Sequence, residues 1–279
     1  MIKVKDLIFQ YDKGGEQIVK GISTEIRDGM HVGIIGPTGC GKTTFVRHLN
    51  GLLTPTAGEV WVDGMHTADP VAVLKIRPRV GMVFQNPDNQ IVGMTVEEDV
   101  AFGPGNLALP PIEIARRVQE SLAMVGMEKQ SKRSPHILSN GEKQLVAIAG
   151  VLAMKPRHII LDEPTTYLDP SARERVLHVV NRLHKEGITI VHVTHDMNEI
   201  ARADRIIVLY EGRIAMEGTP SQVFGHVERL QDLGVGIPKI AEILWSLRET
   251  GLDVRTDIFS VEEACKEISS LITSQQKFH

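Results

Sequence analysis

The stretch GPTGCGKTT, residues 36–44, constrains the fold of this chain more than any other feature. It matches the pattern G-x-x-x-x-G-K-[ST], with an additional glycine at position 39. The apolar run HVGII precedes it, and FVRHLN, which can begin a helix, follows it. Glycines in such a loop let backbone N–H groups converge on phosphate oxygens, and the helix N-terminus adds a positive partial charge. We therefore expect a strand, a phosphate-binding loop and a helix, in this order.

The residue types in this loop suit a nucleoside triphosphate and its metal ion. We expect Lys42 to reach the β- and γ-phosphates and the Thr43 hydroxyl to ligate Mg²⁺. An ordinary connection between a strand and a helix is the alternative, and the flanking segments make it the weaker interpretation. The residues predicted to bind the nucleotide here are Gly36, Pro37, Thr38, Gly39, Cys40, Gly41, Lys42, Thr43 and Thr44.

Five short apolar runs that end in turn or polar residues indicate a parallel sheet buried on both faces. In chain order they are HVGIIGP, VGMVFQ, HIILDE, ITIVHVTH and RIIVLYEG, and helical stretches separate them. The first 30 residues instead predict antiparallel strands around a turn at Gly14 and Gly15. The sequence therefore predicts an α/β fold with a parallel core sheet and an N-terminal antiparallel β subdomain.

Two further regions have a helical pattern. Residues 86–155 lie between two predicted strands, and their apolar positions recur at helical spacing on one face. After Gly218, Thr219 and Gln222 have the form of a helix start, and helices are predicted through residues 240–247 and from Ser260. We therefore predict a domain at 1–218 with an inserted helical subdomain at about 86–155. Residues 219–279 are predicted to form a small α-helical C-terminal appendage.

Polar residues stand at the ends of three predicted strands. Asp162 and Glu163 end HIILDE, Gln85 ends VGMVFQ and His195 ends ITIVHVTH. Open α/β sheets bind ligands at the carboxyl ends of their strands, where the phosphate-binding loop also lies. We expect Asp162 to hold Mg²⁺ through water and Glu163 to orient or deprotonate the attacking water. Gln85 and His195 either have a structural role or contact the γ-phosphate, the metal or the water.

Composition limits the classes of partner. The formal charge of the 279 residues is -4, which argues against a surface that generally binds nucleic acid. The two cysteines, Cys40 and Cys265, suit a reducing compartment. No apolar run approaches the roughly 18 residues needed to cross a bilayer, and residues 1–11 lack the apolar core of a signal peptide. We therefore expect a soluble, cytoplasmic chain that meets a membrane only through a partner or a surface patch.

Taken together, these motifs resemble the ATP-binding cassette of ABC transporters over residues 1–218. They occur in that family's order, with Tyr11 first and LSNGE at residues 138–142 between Gln85 and HIILDE. The resemblance implies the ABC ATPase fold, a P-loop NTPase with a RecA-like core sheet, and ATP hydrolysis with Mg²⁺. It implies that Tyr11 stacks on adenine. The implied catalytic residues are Glu163, His195, Lys42 and Gln85, and the implied metal ligands are Thr43, Gln85 and Asp162.

LSNGE is similar to the family's signature loop, usually written LSGGQ. The resemblance implies that two cassettes pack head to tail and that each signature loop caps the ATP held by the other subunit. Ser139, Gly141 and Glu142 would then contact the partner's nucleotide. Asn140 replaces the first glycine, and its tolerance of positive φ would preserve the loop. Leu145 stands where an arginine is common in the family.

A narrower resemblance rests on VGMVFQNPDNQIVGMTVEEDVAFG, on IAGVLAMKPRHIILDEPTTYLDP and on the C-terminal stretch from GTPSQVFG to RETGLD. These are similar to the ATPase subunits of energy-coupling factor transporters, which import vitamins or metal ions. The implied partners are a second ATPase subunit, identical or homologous, a transmembrane coupling subunit and a small substrate-binding membrane subunit, but no nucleic acid. The implied location is the cytoplasmic side of the cell membrane, with the C-terminal domain holding two ATPases together.

Three alternatives stay open at this point. The chain could power another kind of ABC importer, although its C-terminal sixty residues and NPDNQ weigh against this. It could be a cassette that acts on DNA or ribosomes, but the long coiled coil or second cassette of those relatives is not apparent in the sequence. It could bind ATP without hydrolysing it, but the presence of Lys42, Asp162, Glu163 and His195 weighs against this.

Overall fold

The computed structural model of the chain describes residues 1–276, with side chains described as far as residue 271. The last three residues of the predicted C-terminal domain lie outside the described residues. The strands are β1 (Ile2–Phe9), β2 (Val19–Ile26), β3 (His31–Ile35), β4 (Ala57–Val62), β5 (Met65–His66), β6 (Val80–Val83), β7 (His158–Asp162), β8 (Thr189–Val193), β9 (Arg205–Tyr210) and β10 (Arg213–Gly218). The α-helices are α1 (Lys42–Leu49), α2 (Pro70–Ile76), α3 (Val96–Asn106), α4 (Pro111–Val125), α5 (Asn140–Leu152), α6 (Pro170–Lys185), α7 (Pro220–Phe224), α8 (Val227–Asp232), α9 (Lys239–Glu249) and α10 (Val261–Gln276).

The central sheet has the order β10-β9-β3-β8-β7-β6. Strands β3, β6, β7, β8 and β9 pair in parallel, and all five residues of β3, β7 and β8 are buried. Burial on both faces explains why these strands read as continuous apolar runs. The predicted parallel sheet is therefore confirmed. The sequence analysis missed β10, which closes one edge by pairing antiparallel with β9.

A second, antiparallel sheet has the order β2-β1-β4-β5. The predicted pairing of the first two strands is confirmed, with Ile2 opposite Ile26. On its other side β1 pairs with β4, which brings Val62 opposite Ile2. Strands β4 and β5 are short and lie beyond the first 30 residues, so the predicted antiparallel subdomain was too small.

The core forms on both faces of the parallel sheet. On one face, Ile160 and Val191 pack with the antiparallel sheet and with α1 through Phe45. On the other face, Ile159 and Ile190 pack with helices α3 to α6. Successive residues of one strand thus supply both layers, as the period of two requires. The predicted apolar face of α4 is confirmed, because Val118, Leu122 and Val125 are buried and Ile114 packs beside them.

The C-terminal segment packs in two parts. Helices α7 and α8 cover the β9 side of the sheet, where Phe224 and Leu230 join Ile206 and Val208 in one cluster. The predicted helix start is confirmed, since Thr219 and Gln222 form a capping box. Helices α9 and α10 form a separate small cluster around buried Leu244, with Ile258, Ala264, Ile240, Leu247 and Ile268. The domain boundary at 218 stays a prediction, and α7 and α8 are packed as part of the sheet's core.

Candidate nucleotide site

The phosphate-binding loop leaves β3 at Ile35 and enters α1 at Lys42. Gly36 has φ +149°, and a Cβ there would lie 2.1 Å from the carbonyl oxygen of Leu209. Gly41 caps α1 with φ +101°. Both positions need glycine, the first because the neighbouring strand approaches so closely and the second because of its left-handed backbone. The predicted order of strand, loop and helix is therefore confirmed.

The Lys42 side chain lies inside this loop. It is buried, and its Nζ donates hydrogen bonds to the carbonyl oxygens of Gly36, at 2.8 Å, and Pro37, at 3.0 Å. An ammonium group held by two carbonyls at the mouth of the loop is placed to exchange these weak acceptors for charged phosphate oxygens. Its predicted contact with the β- and γ-phosphates is consistent with this placement.

Thr43 and Asp162 meet across the end of the sheet. The Thr43 hydroxyl donates to Asp162 Oδ1 at 3.0 Å, although the two residues are 119 positions apart in the chain. Burial raises the pKa of Asp162 above its ordinary value, while the Thr43 hydrogen bond and the charge of Arg47 act in the opposite direction. A hydroxyl and a carboxylate oxygen are donors that Mg²⁺ prefers, and a cation beside Asp162 would stabilise its buried charge. These two residues therefore fit the predicted metal.

Glu163 is the centre of the polar cluster at the same edge. Its Oε2 accepts hydrogen bonds from Gln85 Nε2 and from the Thr166 hydroxyl, each at 3.1 Å, and lies 3.4 Å from His195 Nδ1. The backbone of Glu163 has φ +49°, which is uncommon for a residue with a side chain. Its N–H donates to the carbonyl of Val193 at 2.9 Å, which fixes the turn beside β8. The structure thus brings Glu163, Gln85 and His195 together.

A cavity of about 560 Å³ opens between the phosphate-binding loop and this cluster. Its size falls in the range of small-molecule sites. Six of the predicted loop residues and three predicted residues from other strands share it. Its lining residues are Ile18, Thr38, Gly39, Gly41, Lys42, Thr43, Thr44, Gln85, Glu163 and His195.

Tyr11 lies beside this cavity. Its hydroxyl is 3.1 Å from Thr44 Oγ1, and the ring contacts the edge of Phe9. The side chain is 59% exposed, so much of the ring is free for a planar ligand. Stacking on adenine stays a prediction.

Cys40 is buried behind the loop, where burial raises the pKa of its thiol.

The LSNGE stretch begins α5 and lies apart from the cavity. Ser139 and Glu142 form a capping box, in which the Ser139 hydroxyl accepts from Glu142 N at 3.3 Å and Glu142 accepts from Ser139 N at 2.9 Å. Hydrogen bonds that Ser139 N and the Ser139 hydroxyl donate to the Glu142 carboxylate lower the pKa of Glu142, the bond from Ser139 N having the largest effect. Ser139, Gly141 and Glu142 are not among the described residues that line the cavity of about 560 Å³. Their predicted contact with a nucleotide therefore requires a second subunit.

One expectation about this stretch is corrected, and two neighbouring residues have packing roles. Asn140 is the first residue of α5 and does not adopt a positive φ, so its tolerance of that conformation has no bearing on the loop. Gly141 is required by packing, because a Cβ there would lie 2.4 Å from that of Ala172 on α6. Leu145 is fully buried among the helices, a position that suits an apolar side chain.

Sequence reasoning missed two residues at the site. Thr166 donates to Glu163, and the signal for it was a hydroxyl three residues after the acid in a turn. Ile18, the residue before β2, lines the cavity, and no local pattern distinguishes it.

An apolar groove of about 510 Å³ lies near Gln85, with Phe84, Phe102 and Leu107 among its lining residues.

The sequence predicts that Met94, Leu107, Met124 and Met127 contribute to such a groove, where a helix of a membrane partner could dock, with packing in the core of the helical subdomain as the alternative for each. Leu107 lines it. Met127 is completely buried in the helical core, so its expected contact with a partner is wrong. Met124 lines another cavity, between α4 and the C-terminal end of α6. Met94 is 77% exposed but is not among the described residues that line the groove.

Comparison with known proteins identifies the family. A family model described as ABC transporter matches residues 19–166. The chain belongs to the ABC transporter family. It is 53% identical over 270 residues to the cobalt import ATP-binding protein CbiO of Syntrophus aciditrophicus (strain SB), covering 97% of this chain and 96% of that protein. It is 46% identical over 276 residues to the energy-coupling factor transporter ATP-binding protein EcfA1 of Clostridium perfringens (strain 13 / Type A), covering 97% and 98%.

Solved structures agree with this assignment. CbiO1 from Clostridium perfringens, described as part of the ABC transporter complex cbiONQ, matches with a TM-score of 0.75 and 37% identity over 88% of this chain and 98% of that one. A dimeric ABC cassette in a post-hydrolysis state, bound to ADP and Pi, matches with a TM-score of 0.71 and 35% identity over 79% of this chain and 99% of that one. The predicted ABC ATPase fold is confirmed, and the chain is an ATP-binding ATPase subunit of a transporter.

Proposed function

We propose that this ABC ATPase powers an energy-coupling factor importer that takes up a transition-metal ion or a vitamin. The observation that carries the proposal is the length of the match to CbiO and EcfA1, which spans 97% of this chain and therefore includes its C-terminal helices. A relative from another class of ABC importer would be expected to match this chain over the cassette alone. The name CbiO favours cobalt as the cargo, and the name EcfA1 is compatible with a vitamin.

The residues at the sheet edge divide the work of hydrolysis. Glu163 accepts a proton from the attacking water, and its position is held by Gln85 and His195. The ammonium group of Lys42 supplies positive charge next to the phosphates. Thr43, Asp162 and Gln85 would hold Mg²⁺, which would supply positive charge against the negative phosphate oxygens. Because Asp162 and Glu163 are adjacent at the end of β7, one strand positions both the metal ligand and the base.

The active unit in this proposal is a pair of cassettes packed head to tail. The signature residues Ser139, Gly141 and Glu142 begin α5 away from their own subunit's cavity, so they are available to a neighbour. The second ATPase subunit is either identical to this chain or a homologue. Residues 219–279 form the proposed accessory and dimerisation domain, in which Ile243 and Val261 leave apolar surface exposed.

The membrane partners are a transmembrane coupling subunit and, through it, a small substrate-binding membrane subunit. Among residues 1–276, no helix combines the length and apolarity needed to span a membrane. The groove lined by Phe102 and Leu107 is the proposed docking site for a helix of the coupling subunit. Phe102 is exposed there, as a docking surface requires. The proposed location of the chain is the cytoplasmic side of the cell membrane.

Affinity purification of the full chain from detergent-solubilised membranes tests the proposal. We expect a second ATPase, a coupling protein with several spans and a small substrate-binding membrane protein to be recovered together. Phe102→Glu should release the membrane proteins without changing ATP affinity, whereas Ile112→Glu, at a still more exposed position on α4 outside the groove, should retain them. Recovery of a periplasmic-type importer complex, or of no membrane protein at all, would refute the energy-coupling factor assignment.

A further inference from the structure

A buried carboxylate lies directly behind the catalytic cluster. The Glu199 side chain is only 2% exposed and belongs to the turn that follows β8 and His195. It does not line the nucleotide cavity, so it has no direct contact with the phosphates. A buried charge destabilises the fold unless hydrogen bonds or opposite charges compensate it. The partners of this carboxylate therefore indicate its role.

Two hydroxyl groups from different loops donate to this carboxylate. Thr165 Oγ1 donates to Glu199 Oε1 at 2.5 Å, and Thr194 Oγ1 donates to Glu199 Oε2 at 2.8 Å. Thr165 follows Glu163 by two residues, and Thr194 immediately precedes His195. Each oxygen of the carboxylate therefore binds one of the two loops that carry the catalytic cluster. An apolar or neutral side chain of the same size cannot accept both bonds.

The surroundings keep Glu199 charged and in place. His192 Nε2 lies 3.3 Å from Glu199 Oε2, and Arg173 Nε lies 3.9 Å from Oε1. Burial acts to raise the pKa of Glu199, but the contacts with His192, Thr165 and Thr194 outweigh it and lower that pKa. Arg173, on α6, also donates to Asp196 Oδ2 at 2.9 Å, so the same cation braces the turn after His195.

Among the described residues, few other contacts join the Glu163 loop to the His195 loop close to the site. Glu163 N donates to the Val193 carbonyl, and the His195 ring lies 3.4 Å from Glu163 Oε2. The first contact fixes the backbone at the start of each loop, and the second depends on a ring that is 60% exposed. The carboxylate of Glu199 fixes the next residues along, at Thr165 and Thr194. It thereby limits the positions that the Glu163 carboxylate and the His195 ring can adopt relative to each other.

We propose that Glu199 is a positioning residue for ATP hydrolysis, which ties the Glu163 loop to the His195 loop through Thr165 and Thr194. It acts through these hydroxyls and not on the nucleotide. Nucleotide binding depends on Lys42 and Thr43, whereas the geometry of the general base depends on this tie. Loss of Glu199 therefore affects kcat much more than KM for ATP. A displacement of about 1 Å in a catalytic group can lower a rate by about 10²-fold.

Steady-state ATPase assays on the full chain test the proposal through two substitutions at this position. Glu199→Ala should lower kcat by about 10²-fold and change KM for ATP by less than about twofold. Glu199→Gln should recover about tenfold of that loss, because its amide oxygen still accepts one hydroxyl. Equal activity of the Ala and Gln variants, or a rise in KM that matches the fall in kcat, would overturn the proposal.

A milder variant covers the case in which Glu199→Ala does not fold. Thr165→Val keeps the volume of the side chain and removes one donor, so kcat should fall by about tenfold. Thr67→Val is the matched control, since Thr67 is equally buried but its hydroxyl has no partner among the described residues. Full activity of Thr165→Val would contradict the tie. The Glu199→Ala/Thr165→Val double variant should be no slower than Glu199→Ala alone, and additive losses would also contradict it.

The inference rests on the proposed roles of Glu163 and His195, and Glu163→Gln separates the two. If Glu163→Gln abolishes hydrolysis and the Glu199 and Thr165 variants do not alter kcat, only the positioning role fails. If Glu163→Gln hydrolyses ATP normally, the catalytic assignment fails, and the positioning role fails with it.

Discussion

Replacing Glu163 with glutamine is the sharpest test of the site. The change removes the base but keeps an oxygen that can accept from Gln85 and Thr166, each of which now donates to Glu163 Oε2 at 3.1 Å. The loop should therefore keep its position, at a cost of about 1 kcal/mol or less in folding free energy. Loss of a general base lowers a rate by about 10²- to 10⁴-fold, which corresponds to about 3–5 kcal/mol in activation free energy.

ATP binding should survive this change. Lys42, Thr43 and Asp162 are the residues proposed to hold the phosphates and the metal, and their hydrogen bonds do not include Glu163. Removing one negative charge next to the γ-phosphate reduces repulsion, so ATP affinity should stay the same or increase. Because ATP then persists at the interface between two cassettes, the closed dimer should also last longer.

Three measurements decide the outcome for Glu163→Gln. Phosphate release gives kcat, equilibrium titration gives ATP affinity, and sedimentation with ATP gives the dimer population. Glu59→Gln, an exposed glutamate on β4, is the matched control and should behave like the wild type. Hydrolysis within tenfold of the wild type would refute the role of Glu163 as a base. A parallel loss of ATP affinity would show that Glu163 is instead part of the binding surface.

Three other expected outcomes follow from the structure. Tyr11→Ala should weaken ATP affinity and leave kcat largely unchanged, because stacking is equal in the ground and transition states; a lower Tm with unaltered affinity would assign Tyr11 to the sheet edge. Asn140→Gly should change ATPase activity only in the assembled dimer, and an effect on an isolated cassette's affinity would contradict the head-to-tail arrangement. A chain ending at Gly236 keeps α7 and α8 and should fold and bind ATP, yet be monomeric without nucleotide in sedimentation, whereas the full chain should stay dimeric.

The parallel sheet could be predicted because its strands carry the information locally. Every residue of β3, β7 and β8 is buried, and these strands therefore have mainly apolar sequences. The position of Asp162 and Glu163 beside the phosphate-binding loop could be predicted from the same strands, because the carboxyl ends of parallel strands lie at one edge of the sheet. Strand β4 was missed because only two of its six residues are buried, so it has no continuous apolar run, and β5 was missed because it has two residues. Their place in the sheet comes from pairing, β4 with β1 and β5 with β4.

Contacts between distant side chains could not be predicted in the same way. Thr165 and Glu199 are 34 residues apart, and neither belongs to a pattern that indicates its direction. The hydrophobic period also does not distinguish a buried methionine from an exposed one, which explains the error at Met127. Side-chain direction in turns depends on the packed loops around them and not on neighbouring residues in the sequence.

The capping box at α5 bears on the proposal that the altered signature loop binds a neighbour's phosphate. Ser139 N and Glu142 N are satisfied within the box, and Lys143 N donates to the Ser139 carbonyl at 2.9 Å. By helix geometry the N–H groups of Asn140 and Gly141 have no acceptor in the preceding turn. They point out of the helix N-terminus, where the dipole favours an anion. The donors proposed for a neighbour's phosphate are thus backbone groups, which asparagine supplies as well as glycine. The substitution at 140 adds a side chain beside the phosphate without removing a donor.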